Sequence, residues 1–123
     1  ASTYLMNNQA KVFGSTMHEY FGTQNEAWIT MRLIELGINK EIVNKLKNGK
    51  ENFAHSAQNL SSGELQRIKL VKAVTSDAEL IILDEPFSAL DRASRKIARS
   101  FIEKNLSDRF VVLVDHGDVV EDS

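Results

Sequence analysis

The stretch of sequence that decides the fold lies at residues 80–86 and reads LIILDEP. Its first four residues are apolar and rich in isoleucine, which is typical of a buried strand in a parallel sheet. Two carboxylates, Asp84 and Glu85, follow directly, and Pro86 prevents the strand from continuing. Ligands of parallel α/β sheets bind beyond the carboxyl ends of the strands. The stretch therefore predicts a strand that delivers two acidic groups to a binding edge, the alternative being a plain acidic turn.

The residues that follow extend this prediction to a strand–helix–strand unit. We expect a helix from residue 91 or 92 to about residue 105, with Ile97 and Phe101 among its apolar residues, and a second buried strand over residues 109–114. Such a unit has parallel strands and a right-handed crossover. Both carboxyl ends then share one edge, which brings Asp115-His116-Gly117 near the two carboxylates.

The first part of the chain has a helical pattern after a possible strand at residues 2–6. Apolar residues recur at helical spacing between Asn25 and Leu36, and we interpret the stripe that includes Trp28 and Met31 as core. Asn39 is predicted to cap a further helix that Gly49 closes.

These patterns give an α/β chain with two subregions in one compact unit. The first, at about residues 12–75, is a helical subdomain. The second, at about residues 76–123, holds the βαβ portion, and the boundary lies near residues 74–78.

The helix predicted over residues 61–74 begins with a sequence that has two interpretations. Ser61, with Glu64 three residues later, matches a capping box. A helix start also leaves unpaired N–H groups and a positive dipole end, which suit a phosphate. Gly63 lets a ligand approach the backbone closely. From these residues alone, both interpretations stay open.

Composition limits the remaining possibilities. The chain has 123 residues, a formal net charge of −2 and no cysteine, which argues against a dedicated nucleic-acid binder and excludes thiolate zinc sites and thiol catalysis. Its apolar runs are far shorter than the roughly 20 residues of a membrane helix, and no signal peptide is visible, so we expect a cytosolic chain. Two clusters of basic residues, at 40–50 and 92–99, are interpreted as solvated helix faces.

Four of these segments together resemble the motifs of ATP-binding cassette (ABC) ATPases, a P-loop NTPase fold. Residues 59–68 (NLSSGELQRI) are similar to the signature motif, residues 80–86 to the Walker B strand with its catalytic glutamate, and residues 88–91 (SALD) to the D-loop. His116 falls where the switch histidine belongs. Residues 12–16 (VFGST) resemble the stretch after the Q-loop in ABC exporters.

The resemblance implies a transport ATPase in which two nucleotide-binding domains enclose ATP and Mg²⁺ between them. Asp84 would help to hold Mg²⁺, Glu85 would act on the attacking water and His116 would sense the γ-phosphate. The partner domain's ATP would be contacted by the signature residues, which are Ser61, Ser62, Gly63 and Glu64. Asp91 would help to couple the two sites. Asn7, Asn8 or Gln9 would take the place of the Q-loop glutamine, and Gln9 is the expected nucleotide contact.

Departures from the family pattern qualify this expectation. Ser62 stands where the signature usually has a glycine, and Glu64 stands where it usually has a glutamine. No stretch reads G-x-x-x-x-G-K-[ST], so the phosphate loop is not among these residues. The chain therefore resembles the C-terminal portion of a nucleotide-binding domain, from about the Q-loop to the switch histidine, and we expect it to be inactive alone.

The expected setting follows from the same resemblance. The partners would be a second nucleotide-binding domain, a transmembrane domain and the N-terminal half of its own domain, at the cytoplasmic face of a membrane. Without that half, an exposed face or sheet edge is expected to self-associate. One alternative is a soluble ABC-type ATPase that acts on DNA; another is an interaction module that has lost the nucleotide.

Overall fold

A central strand with a parallel neighbour on each side organises the chain. The computed structural model describes residues 2–23, 25–48 and 52–115. Their elements are β1 (Thr3–Met6), α1 (Met17–Phe21), α2 (Glu26–Glu35), α3 (Lys40–Asn48), α4 (Phe53–Ala57), α5 (Ser62–Thr75), β2 (Leu80–Asp84), α6 (Arg92–Asn105) and β3 (Phe110–Val114). The sheet has the order β1-β2-β3.

The parallel β2–α6–β3 unit predicted from the sequence is confirmed. In β2, Ile81 and Leu83 are fully buried, which agrees with the apolar composition of the strand. α6 contributes Ala98 and Phe101 to the core, whereas Ile97 is on the exposed side of the helix. β1 also pairs with β2, so the start of the chain belongs to the same sheet as the βαβ unit.

β3 is not the buried strand that its composition predicted. Phe110 is 77% exposed, and Val112 and Leu113 are about half exposed. The physical reason is its place in the sheet: β3 pairs with β2 on one side, and no other strand within the described ranges pairs with its second side. Leu5 of β1, at the opposite edge, is also half exposed.

Of the helices between β1 and β2, α1 and α2 pack against α5. In α2 the buried residues are Ile29 and Leu33, while Met31 is 60% exposed, so the predicted core stripe was wrong at Met31. Ile29 and Leu33 are four residues apart and therefore lie on one face of α2, which turns inward. α2 is in contact with α5. Trp28 is only partly buried against the core.

The helix boundaries that the sequence indicates in this region agree with the structure where it describes them. The Asn25 side chain accepts a hydrogen bond from the N–H of Trp28, which caps α2 at its start. Gly37, with φ +90°, follows the end of α2. The Asn39 carboxamide accepts from the N–H of Glu41 at the start of α3. Gly49 lies outside the described residues.

An aromatic cluster joins the short helices to α5. The ring of Tyr20 lies 5.1 Å from that of Phe13 and 5.4 Å from that of Phe53, measured between centroids. The ammonium of Lys72 on α5 lies 5.0 Å from the centre of the Tyr20 ring. Burial raises the pKa of Tyr20 and lowers the pKa of Lys72. α5 is thus held by a cation–π contact as well as by apolar packing.

The described part of the chain contains no helix with both the length and the apolar character needed to cross a membrane.

The exposed apolar side chains of the sheet generate a prediction about association. We expect the 123-residue chain to self-associate, because Phe110 and Val112 leave apolar side chains exposed on one face of β3, at an edge that no strand of the described residues pairs with. Sedimentation velocity over a concentration series should give a mass above that of the 13.8 kDa monomer. Phe110→Lys should shift the distribution towards monomer, whereas Met31→Lys, at an exposed site on α2, should not. A strictly monomeric wild-type chain at every concentration would contradict this.

Candidate functional site

The three strands end at one edge of the sheet, where Asp84, Glu85 and the residues that follow β1 and β3 lie. Met6 is opposite Leu83 in the register of β1 and β2, and Asp84 is opposite Val114 in the register of β2 and β3. The segments that leave the three strands therefore start side by side, as the parallel arrangement predicted. Asp115 directly follows β3, and His116 lies outside the described residues.

The capping box predicted at the start of α5 is present. The Ser61 hydroxyl accepts a hydrogen bond of 3.1 Å from the N–H of Glu64, and the Glu64 carboxylate accepts one of 2.9 Å from the N–H of Ser61. The helix provides no acceptor for the N–H groups of Ser62 and Gly63 in its first turn. Because Ser61 and Ser62 are exposed, this positive helix end is accessible from solvent. It satisfies the capping interpretation and leaves the phosphate interpretation open.

Packing within the chain explains why residue 63 is a glycine. It is buried, and a Cβ at this position would lie 3.1 Å from the carbonyl oxygen of Ala89. The sequence suggested that this glycine gives a ligand access to the backbone. In the structure, the close approach is made by the loop after β2, which packs directly against the first turn of α5.

Arg67, one turn further along, ties the same region to the helical part. Its guanidinium donates to the carbonyl of Gly63 at 3.1 Å and to the carbonyl of Leu36, at the end of α2, at 3.4 Å. The start of α5 is therefore connected both to the loop after β2 and to α2.

Behind the capping box lies a hydrogen-bonded group centred on a buried carboxamide, the Gln66 cluster, which consists of Asn8, Gln66, Lys69, Glu85 and Ser88. Gln66 is 2% exposed, and its Nε2 donates to the Asn8 carboxamide at 2.8 Å, to the Ser88 hydroxyl at 3.0 Å and to the Glu85 carbonyl at 3.1 Å. A buried amide left without partners costs about 1–3 kcal/mol. Here both ends of the carboxamide are used, because its oxygen accepts from the N–H of Ala89.

Lys69 completes the cluster. Its ammonium donates to the backbone carbonyl of Asn8 at 2.9 Å, and burial lowers the pKa of Lys69. Gln66 and Lys69 are three residues apart and therefore lie on one face of α5. This face fixes both the side chain and the backbone of Asn8, the second residue after β1.

Glu85 has a left-handed backbone conformation, with φ +49°, and is the only residue other than glycine with positive φ among the described residues. This conformation costs a residue with a side chain about 1–2 kcal/mol. Its N–H donates to the carbonyl of Val114 at 2.7 Å, and its carbonyl accepts from Gln66 and, at 3.0 Å, from the Asn8 carboxamide. Three segments of the chain thus hold the backbone of this residue.

The side chains at the end of β2 fit Mg²⁺ if a nucleotide supplies further oxygen ligands. Asp84 is half-buried there, and Glu85 is its neighbour. Within residues 2–23, 25–48 and 52–115, no group of three or more acidic or histidine side chains is placed to hold a metal. Mg²⁺ commonly takes one or two carboxylates together with phosphate and water. Among the described residues, this donor set therefore fits an ion shared with a nucleotide rather than a metal held by protein ligands alone.

Of the three residues considered for the Q-loop position, the structure brings Asn8 to Glu85. The Asn7 carboxamide accepts from the N–H groups of Gln9 and Ala10 and so shapes the turn. Gln9, the residue expected at the nucleotide, is exposed, and it is not a member of the Gln66 cluster.

Asp91, in the segment similar to the D-loop, caps α6. Its carboxylate accepts from the N–H of Ser94 at 2.7 Å. This hydrogen bond is the main reason that the pKa of Asp91 lies below its ordinary value, and the Ser94 hydroxyl and the charges of Arg67 and Arg95 lower it further. The capping role accounts for an aspartate here, whether or not the side chain has a second role.

Sequence reasoning missed Gln66 and Lys69 as site residues, although one signal was available. Gln66 shares its helix face with Leu70 and Ala73, which follow at intervals of four and three residues and are fully buried. A carboxamide on an apolar face needs buried partners. The sequence did not show that those partners come from segments 58 residues earlier and 19 residues later.

Comparisons with known proteins agree with this geometry. The model of the ABC transporter family matches residues 3–88, from β1 to the loop after β2. ABC transporter B family member 13 of Arabidopsis thaliana is 32% identical over 117 residues, which cover 91% of this chain. The chain belongs to the ABC transporter family. Asp91 and His116 lie beyond the residues that the family model matches.

Two further similarities are informative for this ABC chain. The ATP-dependent lipid A-core flippase of Aliivibrio fischeri is 27% identical over 117 residues. The fold is that of a putative ABC transporter ATP-binding protein from Pyrococcus furiosus, with a TM-score of 0.67 at 18% identity, over 95% of this chain and 57% of that structure. The chain spans 9% of the length of the Arabidopsis relative and 20% of that of the flippase.

The contact between Gly63 and Ala89 generates a stability prediction. Gly63→Ala should lower the free energy of unfolding by about 1 kcal/mol, because the new Cβ overpacks the first turn against a backbone carbonyl. Without that contact, the same change in a helix would gain roughly 0.5–1 kcal/mol. Urea unfolding followed by circular dichroism measures the sign. Ser62→Ala, at the exposed neighbouring position, is the control and should change stability by less than about 0.5 kcal/mol. A more stable Gly63→Ala chain would contradict the packing argument.

Proposed function

We propose that this chain is part of the ATP-binding and ATP-hydrolysing domain of an ABC transporter of the exporter type. The observation that carries the proposal is the convergence of three segments at the carboxyl edge of the sheet. These segments are the first turn of α5, the acidic residues at the end of β2 and the turn after β1. The flippase among its relatives, together with the resemblance of residues 12–16 to exporters, supports the direction of transport.

The proposed chemistry is phosphoryl transfer from ATP to water. Such reactions depend mainly on positioning and on the neutralisation of charge. Glu85 orients and deprotonates the attacking water, which a carboxylate at the end of a fixed strand is suited to do. Asp84 would hold Mg²⁺, and the ion supplies charge neutralisation at the phosphate oxygens when it is bound.

The start of α5 serves a nucleotide held by a second domain. Ser61 and Ser62 present hydroxyl groups, and the N–H groups of Ser62 and Gly63 lack helix acceptors, so this end suits a γ-phosphate. Glu64 contributes by closing the capping box that shapes the turn. Of the residues after β1, we favour Asn8 over Gln9 for the Q-loop position, because Asn8 contacts Glu85. Asp91 and His116 keep the coupling and phosphate-sensing roles that the family resemblance implies.

The implied assembly follows from the same proposal. The chain acts together with the remaining part of its own nucleotide-binding domain, a second such domain and a transmembrane part, at the cytoplasmic face of a membrane. The exposed side chains Leu5, Phe110 and Leu113 lie at the two edges of the sheet. In the complete domain we place the missing part of the sheet core against them.

The first test is a calorimetric titration of Mg-ATP into the 123-residue chain. We expect no heat of binding beyond dilution, because the sequence lacks the phosphate loop whose N–H groups and lysine hold the β- and γ-phosphates. The same chain should release no phosphate from ATP. A saturable binding heat, or turnover that disappears in Glu85→Gln, would contradict the proposed dependence on the remaining part of the domain.

The second test uses the complete transporter that contains these residues. Glu85→Gln should lower ATP turnover by at least about 100-fold, because an amide does not accept the proton of the attacking water, while ATP binding persists. Glu79→Gln, at the exposed residue that precedes β2, is the matched control and should keep normal turnover. Equal turnover in wild type and Glu85→Gln would contradict the role assigned to Glu85.

A further inference from the structure

The Gln66 carboxamide connects three parts of the chain that belong to separate motifs of the ABC family. Its nitrogen donates to the side chain of Asn8, to the backbone carbonyl of Glu85 and to the hydroxyl of Ser88. Its oxygen accepts a 2.9 Å hydrogen bond from the N–H of Ala89. One buried side chain of α5 is therefore bound to the turn after β1, to the end of β2 and to the loop that follows.

The contact with Glu85 is made to a backbone that needs support. Glu85 is in the left-handed region, and the direction of its side chain depends on that conformation. On the N–H side the residue is held by β3, through the carbonyl of Val114. On the carbonyl side it is held by Gln66 and Asn8, and Asn8 is itself held by Gln66.

We propose that Gln66 is a positioning residue: it holds the Glu85 backbone in its left-handed conformation and so sets the direction of the Glu85 carboxylate. The importance of that direction for catalysis rests on the function proposed above. The hydrogen bonds that carry the inference do not depend on a nucleotide.

The place of Gln66 on α5 gives this role a second consequence. Gln66 lies one helical turn beyond Ser62 and Gly63, so its carboxamide moves with the first turn of the helix. Arg67 fixes the same turn to α2. A displacement of the start of α5 by a ligand would thus reach Glu85 within one chain, with the Gln66 carboxamide as its direct contact.

Amide hydrogen exchange of the 123-residue chain tests the inference without nucleotide. In Gln66→Met, which removes the carboxamide at similar volume, we expect the N–H groups of Glu85 and Ala89 to exchange at least about tenfold faster, while the amide of Ile82 inside β2 changes by less than about twofold. Gln58→Met makes the same chemical change at an exposed position and should leave all three rates unchanged.

Two results would overturn the inference. One is an unchanged exchange rate for the Glu85 amide in Gln66→Met. The other is an equal acceleration of the Glu85 and Ile82 amides, which indicates general destabilisation rather than positioning. If Gln66→Met does not fold, Gln66→Asn gives the same comparison, because it keeps the carboxamide but withdraws it by one methylene.

Kinetics of the complete transporter separate this inference from the proposed function. Gln66→Met should lower kcat for ATP by about tenfold and leave KM within about twofold, because orientation of Glu85 affects the reaction more than binding. A rise in KM at unchanged kcat would overturn the positioning role. If the wild-type transporter hydrolyses no ATP, the proposed function fails, and the exchange experiment still decides whether Gln66 holds Glu85.

Discussion

The parallel pairing of β2 with β1 on one side and β3 on the other is the constraint on which the rest of the structure depends. It joins the start of the chain to residues almost eighty positions later, as the pairing of Tyr4 with Ile81 shows. Since all strands run in one direction, their carboxyl ends share one edge. The acidic pair at the end of β2 and the turn after β1 become neighbours for this reason alone.

α5 adds the contacts that hold the residues at this shared edge in place. Its first turn packs on the carbonyl of Ala89, and its buried face holds Asn8 and Glu85 through hydrogen bonds. Gln66 and Lys69 are buried, and the hydrogen bonds they form avoid the penalty of an unpaired buried amide or ammonium. Contacts within the chain therefore hold the backbone around Glu85. A backbone held in this way suits a reaction that depends on positioning.

Much of the fold was predictable because local signals agreed with one another. Asn25, Ser61 and Asp91 are side chains that accept hydrogen bonds at helix starts, and each caps a helix in the structure. The apolar run of β2 is buried as its composition indicates. The prediction was wrong for β3 and for Met31, because an apolar residue is buried only if another element covers it. That condition depends on neighbours that periodicity does not identify.

The sequence by itself determined the strand–helix–strand unit, the capping box of α5, the strand that delivers Asp84 and Glu85, and the membership of the ABC transporter family, but not the short helices α1 and α4. These features depend on residues close together in the chain, whose chemistry is readable locally. Only the tertiary structure decided that Asn8 is the residue that meets Glu85, that Gly63 makes room for Ala89 and that Gln66 connects them. These contacts join segments tens of residues apart, and they exist only after the sheet has paired and α5 has packed against it.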